Sequence, residues 1–294
     1  MEINPIITPE TTDIIWDADN TLWDWVTYAV HAYEAMSQCI ADETGIPEPK
    51  VAAAMKRFYS DVGTMENEFM IQGLYSMGFF KGIKEFDMDN LINKAQSTFS
   101  RVRSKYIKLY DHIEEILKQL HERGIKNHLL TDAPGIQAAM RLMYFHLGEY
   151  FTSVNAMRAA NPRTLPKKFR DRQRRGKYKH PFVVRTVDEP KPDTNIEKIT
   201  HLTRSQIPKK VINAGDNLLK DGGVSIKNGN PCIIAGYGFA KEDMLKRLLR
   251  FAPVKTARQN VSIGKTPDIN ALPANITLVN STREMAAALG IDLN

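Results

Sequence analysis

Cysteine is nearly absent: Cys39 and Cys232 are the only two in 294 residues, far apart and without a CxxC pair or Cys/His cluster. That excludes a disulfide framework and gives no zinc signature, so both are expected to be small buried apolar groups. Long hydrophobic runs are missing as well. The longest, such as Pro231-Cys-Ile-Ile-Ala235, are strand-sized, against the ~20 residues a membrane helix needs. Met1–Thr12 has neither the basic start nor the apolar stretch of a secretory leader, so a cytoplasmic protein with no membrane partner is expected. The seven histidines show no metal-ligand spacing, and His112, His121 and His128 read as surface or strand residues. What remains is a chain of 43% apolar and 25% charged residues, an ordinary globular composition. Its length suits one elaborated domain or two modules.

The net charge of +6 is unevenly spread. Residues 156–186 hold eleven lysines and arginines against the single acid Asp171, so this window carries +10 and the rest of the chain −4. Pro162, Pro166, Gly176 and Pro181 interrupt it and no apolar period runs through it. A loop or partly disordered basic arm is expected there. It is either a solvated surface insertion or an attractor for nucleic acid or another polyanion; only Phe169, Tyr178 and Phe182 offer aromatic faces among its charges.

Elsewhere short apolar strands alternate with amphipathic helices. Asp13–Trp16, Ile125–Leu130, Val211–Ala214, Cys232–Ala235 and Ile276–Val279 read as strands. Asp111 with Glu114, and Ser281 with Glu284, look like capping boxes opening helices. After the second strand, Ile136, Ala139, Met140, Met143, Tyr144 and Leu147 mark one helical face. This alternation implies right-handed crossovers and an α/β fold, a Rossmann-like parallel sheet flanked by helices. Residues 23–106 break the rhythm. Apolar positions there recur at helical spacing in three stripes, from Tyr28 to Met36, Val51 to Phe58 and Met88 to Tyr106. An all-helical module inserted after the first strand is expected.

Ligands of an open α/β sheet sit beyond the carboxyl ends of its strands. The first strand runs into Asp17-Ala-Asp19-Asn-Thr21, the second into Thr131-Asp132, and the third of those read above into Gly215-Asp216…Asp221; Lys191-Pro192 stands between the last two. Taken singly, each is an ordinary turn, cap or strand-end residue. As an ordered set the four segments resemble the signature motifs of the haloacid dehalogenase-like (HAD) hydrolase superfamily, over roughly residues 1–22 and 107–294.

The resemblance implies a HAD-like core with a C1-type helical cap at 23–106, and a phosphatase chemistry. In that pattern Asp17 is the nucleophile that forms an aspartyl-phosphate, and Asp19 is the acid/base that protonates the leaving oxygen and then activates water. Thr131 and Lys191 stabilise the phosphoryl group, with Lys198 as the fallback lysine. Asp17, Asp216, the backbone carbonyl of Asp19 and, directly or through water, Asp221 hold Mg²⁺. Thr21, Asp132 and Trp23 are the candidate substrate contacts. Trp25 and the anion-binding candidates Arg57, Arg101 and Arg103 come from the cap. An acid two residues after the nucleophile is a phosphatase or phosphomutase feature that dehalogenases lack. The expected activity is a Mg²⁺-dependent phosphomonoesterase acting on a small phosphorylated metabolite or nucleotide. The alternatives are a polynucleotide-end phosphatase and a nucleic-acid-binding protein that uses the basic 156–186 arm. The sequence sets no oligomeric state.

Overall fold

The computed structural model describes residues 3–82, 87–158, 182–253 and 272–293. Seven strands form one sheet: β1 (Asp13–Trp16), β2 (Lys126–Pro134), β3 (Phe151–Met157), β4 (Val184–Thr186), β5 (Val211–Gly215), β6 (Cys232–Ala235) and β7 (Ile276–Val279). Their order is β4-β3-β2-β1-β5-β6-β7, and every pairing is parallel. Chain order reverses direction at β1, which lies between β2 and β5, so the crevice of the doubly wound sheet opens there. β1 is Asp-Ile-Ile-Trp with all four residues buried, the continuous burial expected of a central parallel strand covered on both faces.

Two strands lie outside the sequence expectation. β3 mixes polar and apolar residues; Thr152 is exposed, while Ser153 and Asn155 are buried and hydrogen-bonded. Asn155 Nδ2, for example, donates to the Leu129 carbonyl at 3.0 Å. β4 falls inside the 156–186 window, where a loop was expected; Val184, Arg185 and Thr186 pair with Val154, Asn155 and Ala156. Phe182 of that window is half-buried, and its ring lies where a Cβ on Gly148 would collide with it at 2.6 Å. It is packed against the core. The cations from Arg163 to Lys179, with Phe169 and Tyr178, lie outside the described residues.

Between β1 and β2 the chain is helical, as its periodicity requires. The helices are α1 (Trp25–Thr44), α2 (Glu48–Val62), α3 (Met70–Ser76) and α4 (Met88–Tyr106), followed by α5 (Ile113–Glu122). Asp24 caps α1 by accepting from the Thr27 N–H at 2.9 Å, and Gly45 ends it at φ 71°, a left-handed stop that favours glycine. The stripe Tyr28, Ala29, Ala32, Tyr33 and Met36 is buried. α5 departs from the expected start: Asp111 is in a turn, and the cap position is His112 at φ 61° with no side-chain capping bond. The Ser281 box does form at the head of α11 (Thr282–Ala288), with Ser281 Oγ accepting from the Glu284 N–H at 3.2 Å.

α6 (Gly135–Tyr144) follows β2 and shows the wrong face to a purely apolar reading. Ala138, Ala139, Arg141 and Leu142 are buried, while Tyr144 is exposed. A buried arginine takes a position that hydropathy assigns to the surface. The other helices of the described residues are α7 (Glu197–Thr200), α8 (Ile207–Lys210), α9 (Gly223–Asn228) and α10 (Glu242–Leu248); Ile199, Ile207 and Val224 pack in one cluster with Ile15, Leu130 and Val211. Among the described residues no helix is long and apolar enough to cross a membrane.

Candidate active site

Three strand ends deliver the acidic residues to one place. β1 pairs with both β2 and β5 in a register that sets Trp16 beside Leu129 and Ala214. The next residue, Asp17, continues that register by donating its N–H to the Ala214 carbonyl at 2.7 Å, which brings it level with the Gly215-Asp216 exit of β5. Beyond Asp216 the chain winds through a wide π-type turn, Leu218–Gly222, and returns Asp221 to the sheet; such turns concentrate at functional sites. The Asp221 carboxylate accepts from the Asn217 N–H at 3.0 Å. Gly215 makes the return possible: a Cβ there would lie 2.1 Å from the Asp221 carboxyl carbon.

Asp17, Asp216 and Asp221 consequently sit buried with carboxylate oxygens all within 4.8 Å of one another. Lys191, itself buried, donates to Asp17 Oδ1 and to Asp221 Oδ1, the latter at 2.6 Å. Burial, and then the charges of Asp221 and Asp19, push the Asp17 carboxyl up to about 7 against the pull of Lys191. Burial and the charges of Asp17 and Asp221 raise Asp216 well above the usual range. Burial opposes the charge of Lys191, but Asp17, Asp221 and Asp132 outweigh it and hold the ammonium well above its ordinary value. One lysine against three buried carboxylates leaves excess negative charge, and an all-oxygen donor set of this kind suits a hard divalent cation such as Mg²⁺.

The expected residues converge well. Asp17, Asp19, Thr131, Asp132, Lys191, Asp216 and Asp221 all line one cavity of about 80 Å³. Thr131 Oγ1 accepts from the Ala133 N–H at 3.1 Å. Asp132 takes the Lys191 N–H at 3.1 Å and the Lys220 ammonium at 2.5 Å; although burial opposes it, these cations hold its carboxyl below the usual value. Lys198 is exposed on α7, so the lysine position belongs to Lys191.

Two substrate candidates fail. Trp23 is fully buried, stacks on Phe145 with ring centroids 5.7 Å apart, and turns its indole N–H to Asp19 Oδ1 at 2.6 Å. Thr21 is fully buried as well and lines neither this cavity nor its neighbour. Both serve the tight loop after β1. In that loop Asn20 adopts φ 61°, and its side-chain oxygen accepts from the Trp25 and Val26 N–H groups at 3.2 Å each. Gly238 packs so closely that a Cβ would lie 1.7 Å from the Asn20 carbonyl oxygen.

The sequence did not single out Arg141, Glu66 and Lys220. Arg141 Nη1 donates to both oxygens of Asp19 at 2.9 Å, and its Nη2 pairs with Glu66. The available signal was a charged residue on an otherwise apolar helical face. Glu66 and Trp25 line both the acidic cavity and an adjoining one of about 290 Å³ between the helical segment and α6. Of the cap arginines, Arg103 lines that second cavity, Arg101 borders an outer surface cleft, and Arg57 is exposed on α2.

A sequence profile of the haloacid dehalogenase-like hydrolases matches residues 14–162. The chain belongs to that family and is a hydrolase of the haloacid dehalogenase-like class. Its fold is similar to that of 2-haloacid dehalogenase from Pseudomonas syringae pv. Tomato DC3000, at 14% identity over 95% of this chain and 98% of that one, with a TM-score of 0.53. A HAD phosphatase from Thermococcus onnurineus matches at 16% identity, 95% and 98% coverage and a TM-score of 0.49. An L-2-haloacid dehalogenase from Xanthobacter autotrophicus matches at 15% identity, 94% and 96% coverage and a TM-score of 0.43.

Proposed function

We propose that the protein is a Mg²⁺-dependent phosphomonoesterase that works through an aspartyl-phosphate on Asp17. The observation that carries this reading is Asp19: a second carboxylate, two residues after the nucleophile, lines the same cavity and is held there by Arg141 and Trp23. Displacement of a halide needs no proton donor, whereas an alkoxide leaving group does.

An Asp17 carboxylate oxygen attacks phosphorus, and the bond from phosphorus to the ester oxygen breaks as Asp19 gives that oxygen a proton. Asp19 then takes a proton from water. The water oxygen attacks the same phosphorus, and the bond to Asp17 breaks to release inorganic phosphate. Lys191 and the Thr131 hydroxyl, whose oxygen already accepts from the Ala133 N–H, bind phosphoryl oxygens as negative charge shifts onto them. Asp17, Asp216 and the Asp19 backbone carbonyl would hold Mg²⁺, with Asp221 direct or through water. The ion supplies positive charge that lets an anionic nucleophile approach an anionic phosphoryl group.

The two adjoining cavities, about 80 and 290 Å³, favour a small phosphorylated metabolite or nucleotide, since pockets for drug-sized ligands start at about 300 Å³. Turnover of p-nitrophenyl phosphate with and without Mg²⁺, beside an Asp17→Asn variant, tests the chemistry. Loss of the metal and loss of Asp17 should each lower kcat by about a thousandfold or more. Equal turnover by variant and parent would overturn the assignment. A panel of phosphorylated metabolites with 5′- and 3′-phosphorylated oligonucleotides then identifies the substrate class.

A further inference from the structure

The loop between α2 and α3 reaches the acid/base residue through one side chain. Glu66 lies in that loop, and its carboxylate is fixed from two sides: the Trp25 indole N–H donates to Oε1 at 3.0 Å, and Arg141 Nη2 pairs with the same oxygen. Arg141 comes from the opposite body of the molecule, on α6 just past Thr131-Asp132. Its side chain is 4% exposed, its guanidinium carbon stands 5.6 Å from the centre of the Tyr28 ring, and its Nη1 spans both oxygens of Asp19 at 2.9 Å. Tyr28 belongs to α1, so the helical segment contacts the guanidinium at its face and at one amino group, while the catalytic loop takes the other.

A buried arginine is tolerated when its charge is matched; Nη1 and Nη2 of Arg141 are paired, while its Nε is buried without a hydrogen-bond partner. Here the match is divided between a residue of the helical segment and a residue of the catalytic loop. Nη1 alone bridges the two oxygens, so the guanidinium holds the Asp19 carboxylate end-on, and the Trp23 indole N–H on Oδ1 is the second contact that sets its rotation.

We infer that Arg141 and Glu66 are positioning residues for Asp19, forming a two-link chain through which the seating of the 63–69 loop on the core sets the orientation of the proton-transferring carboxylate. The inference rests on the phosphatase reading for its kinetic consequence, and on geometry alone for its structural one. With the loop seated, Glu66 holds Arg141 and Arg141 aims Asp19 at the cavity it shares with Asp17. With Glu66 neutralised or withdrawn, the guanidinium loses one anchor, and its end-on hold on Asp19 is free to shift.

The test uses two esters on the full-length protein with Mg²⁺. Glycerol phosphate has a poor leaving group that needs a proton donor; p-nitrophenyl phosphate has a good one that needs little help. Glu66→Gln and Arg141→Gln should lower kcat for glycerol phosphate about tenfold more than for p-nitrophenyl phosphate, within the 10²–10⁴-fold range that proton donation contributes. Guanidinium added to Arg141→Ala should restore glycerol phosphate turnover preferentially. Crystal structures of Glu66→Gln and Arg141→Gln read the positioning without reference to activity, and the Asp19 carboxylate should be rotated or displaced in both. Equal losses on the two esters, or an Asp19 that keeps its place in both variants, would overturn the inference. A displaced Asp19 in a protein whose parent hydrolyses neither ester would leave the chain standing and remove the phosphatase reading instead.

Discussion

At the scale of single residues, the site is built from groups that cost stability. Gly215 exists because Asp221 occupies the space of its missing side chain. Gly215→Ala is expected to push Asp221 off Lys191, lowering stability by about 1–3 kcal/mol in urea unfolding and weakening Mg²⁺ in calorimetric titration. Asp216 acts in the opposite sense. Its carboxyl is raised well above the ordinary value of 3.8 by burial and by Asp17 and Asp221. A group raised on folding favours the native state below its unfolded pKa and loses that contribution as pH climbs. At neutral pH the metal-free protein has therefore lost part of that contribution. Asp216→Asn should raise the Tm of the metal-free form by roughly 2–4 °C, the equivalent of about 1 kcal/mol, while abolishing turnover. The gain should vanish below about pH 4, and a variant less stable than its parent at pH 7.5 would contradict this account.

At the scale of elements, the central strands are braced by polar side chains at the end opposite the site. His128 of β2 stands between Asp13 of β1, at 2.8 Å from Nε2, and Ser153 of β3, at 2.8 Å from Nδ1. The chemistry is that of a Ser–His–Asp triad, but the three residues are 6%, 2% and 1% exposed in that order, so no substrate reaches them and the constellation fastens three parallel strands together. Burial works against the Asp13 carboxylate, yet its hydrogen bonds from His128 and Thr12 prevail and hold its pKa below 3.8. A depressed carboxyl stabilises the fold above its unfolded pKa and ceases to as pH falls through its folded one. Asp13→Ala should thus cost about 2–3 kcal/mol at pH 7, with the gap between variant and parent closing in acid below about pH 4. Denaturant curves at pH 7 and pH 3.5 check both parts.

At the scale of the whole molecule, the helical segment and the sheet meet along polar seams as well as an apolar core. Glu34 of α1 takes Arg247 of α10 at 2.6 Å, and Lys56 of α2 donates to the Leu249 carbonyl at 2.8 Å. The fold holds three buried carboxylates together against their mutual repulsion, so a cation bound among them returns stability to the native state alone. Mg²⁺ at about a hundred times its Kd should therefore stabilise the protein by ~2.7 kcal/mol, read as a rise in Tm that EDTA reverses. The increment should shrink in Asp216→Asn, which lacks a ligand. An unchanged Tm across a wide Mg²⁺ range would remove the cation from this site.

The sequence by itself determined the alternation of strands and helices, the helical insertion after β1, and the acidic set with Lys191. These features are local: continuous burial in a parallel strand, helical periodicity, and motifs that follow strand ends. β3 and β4 escaped because polar residues interrupt their apolar ones, and the buried Asn155 and Ser153 are accommodated by contacts from other strands, as Asn155 is by the Leu129 carbonyl and Ser153 by His128. Only the tertiary structure decided what Trp23 and Arg141 do. An indole beside a catalytic loop reads as a substrate contact until packing on Phe145 turns it inward. An arginine on an apolar helix reads as surface until Asp19 and Glu66, 122 and 75 residues away in sequence, meet around it. Pairing of charges across such separations is set by how the helical segment sits on the sheet, and no local pattern encodes it.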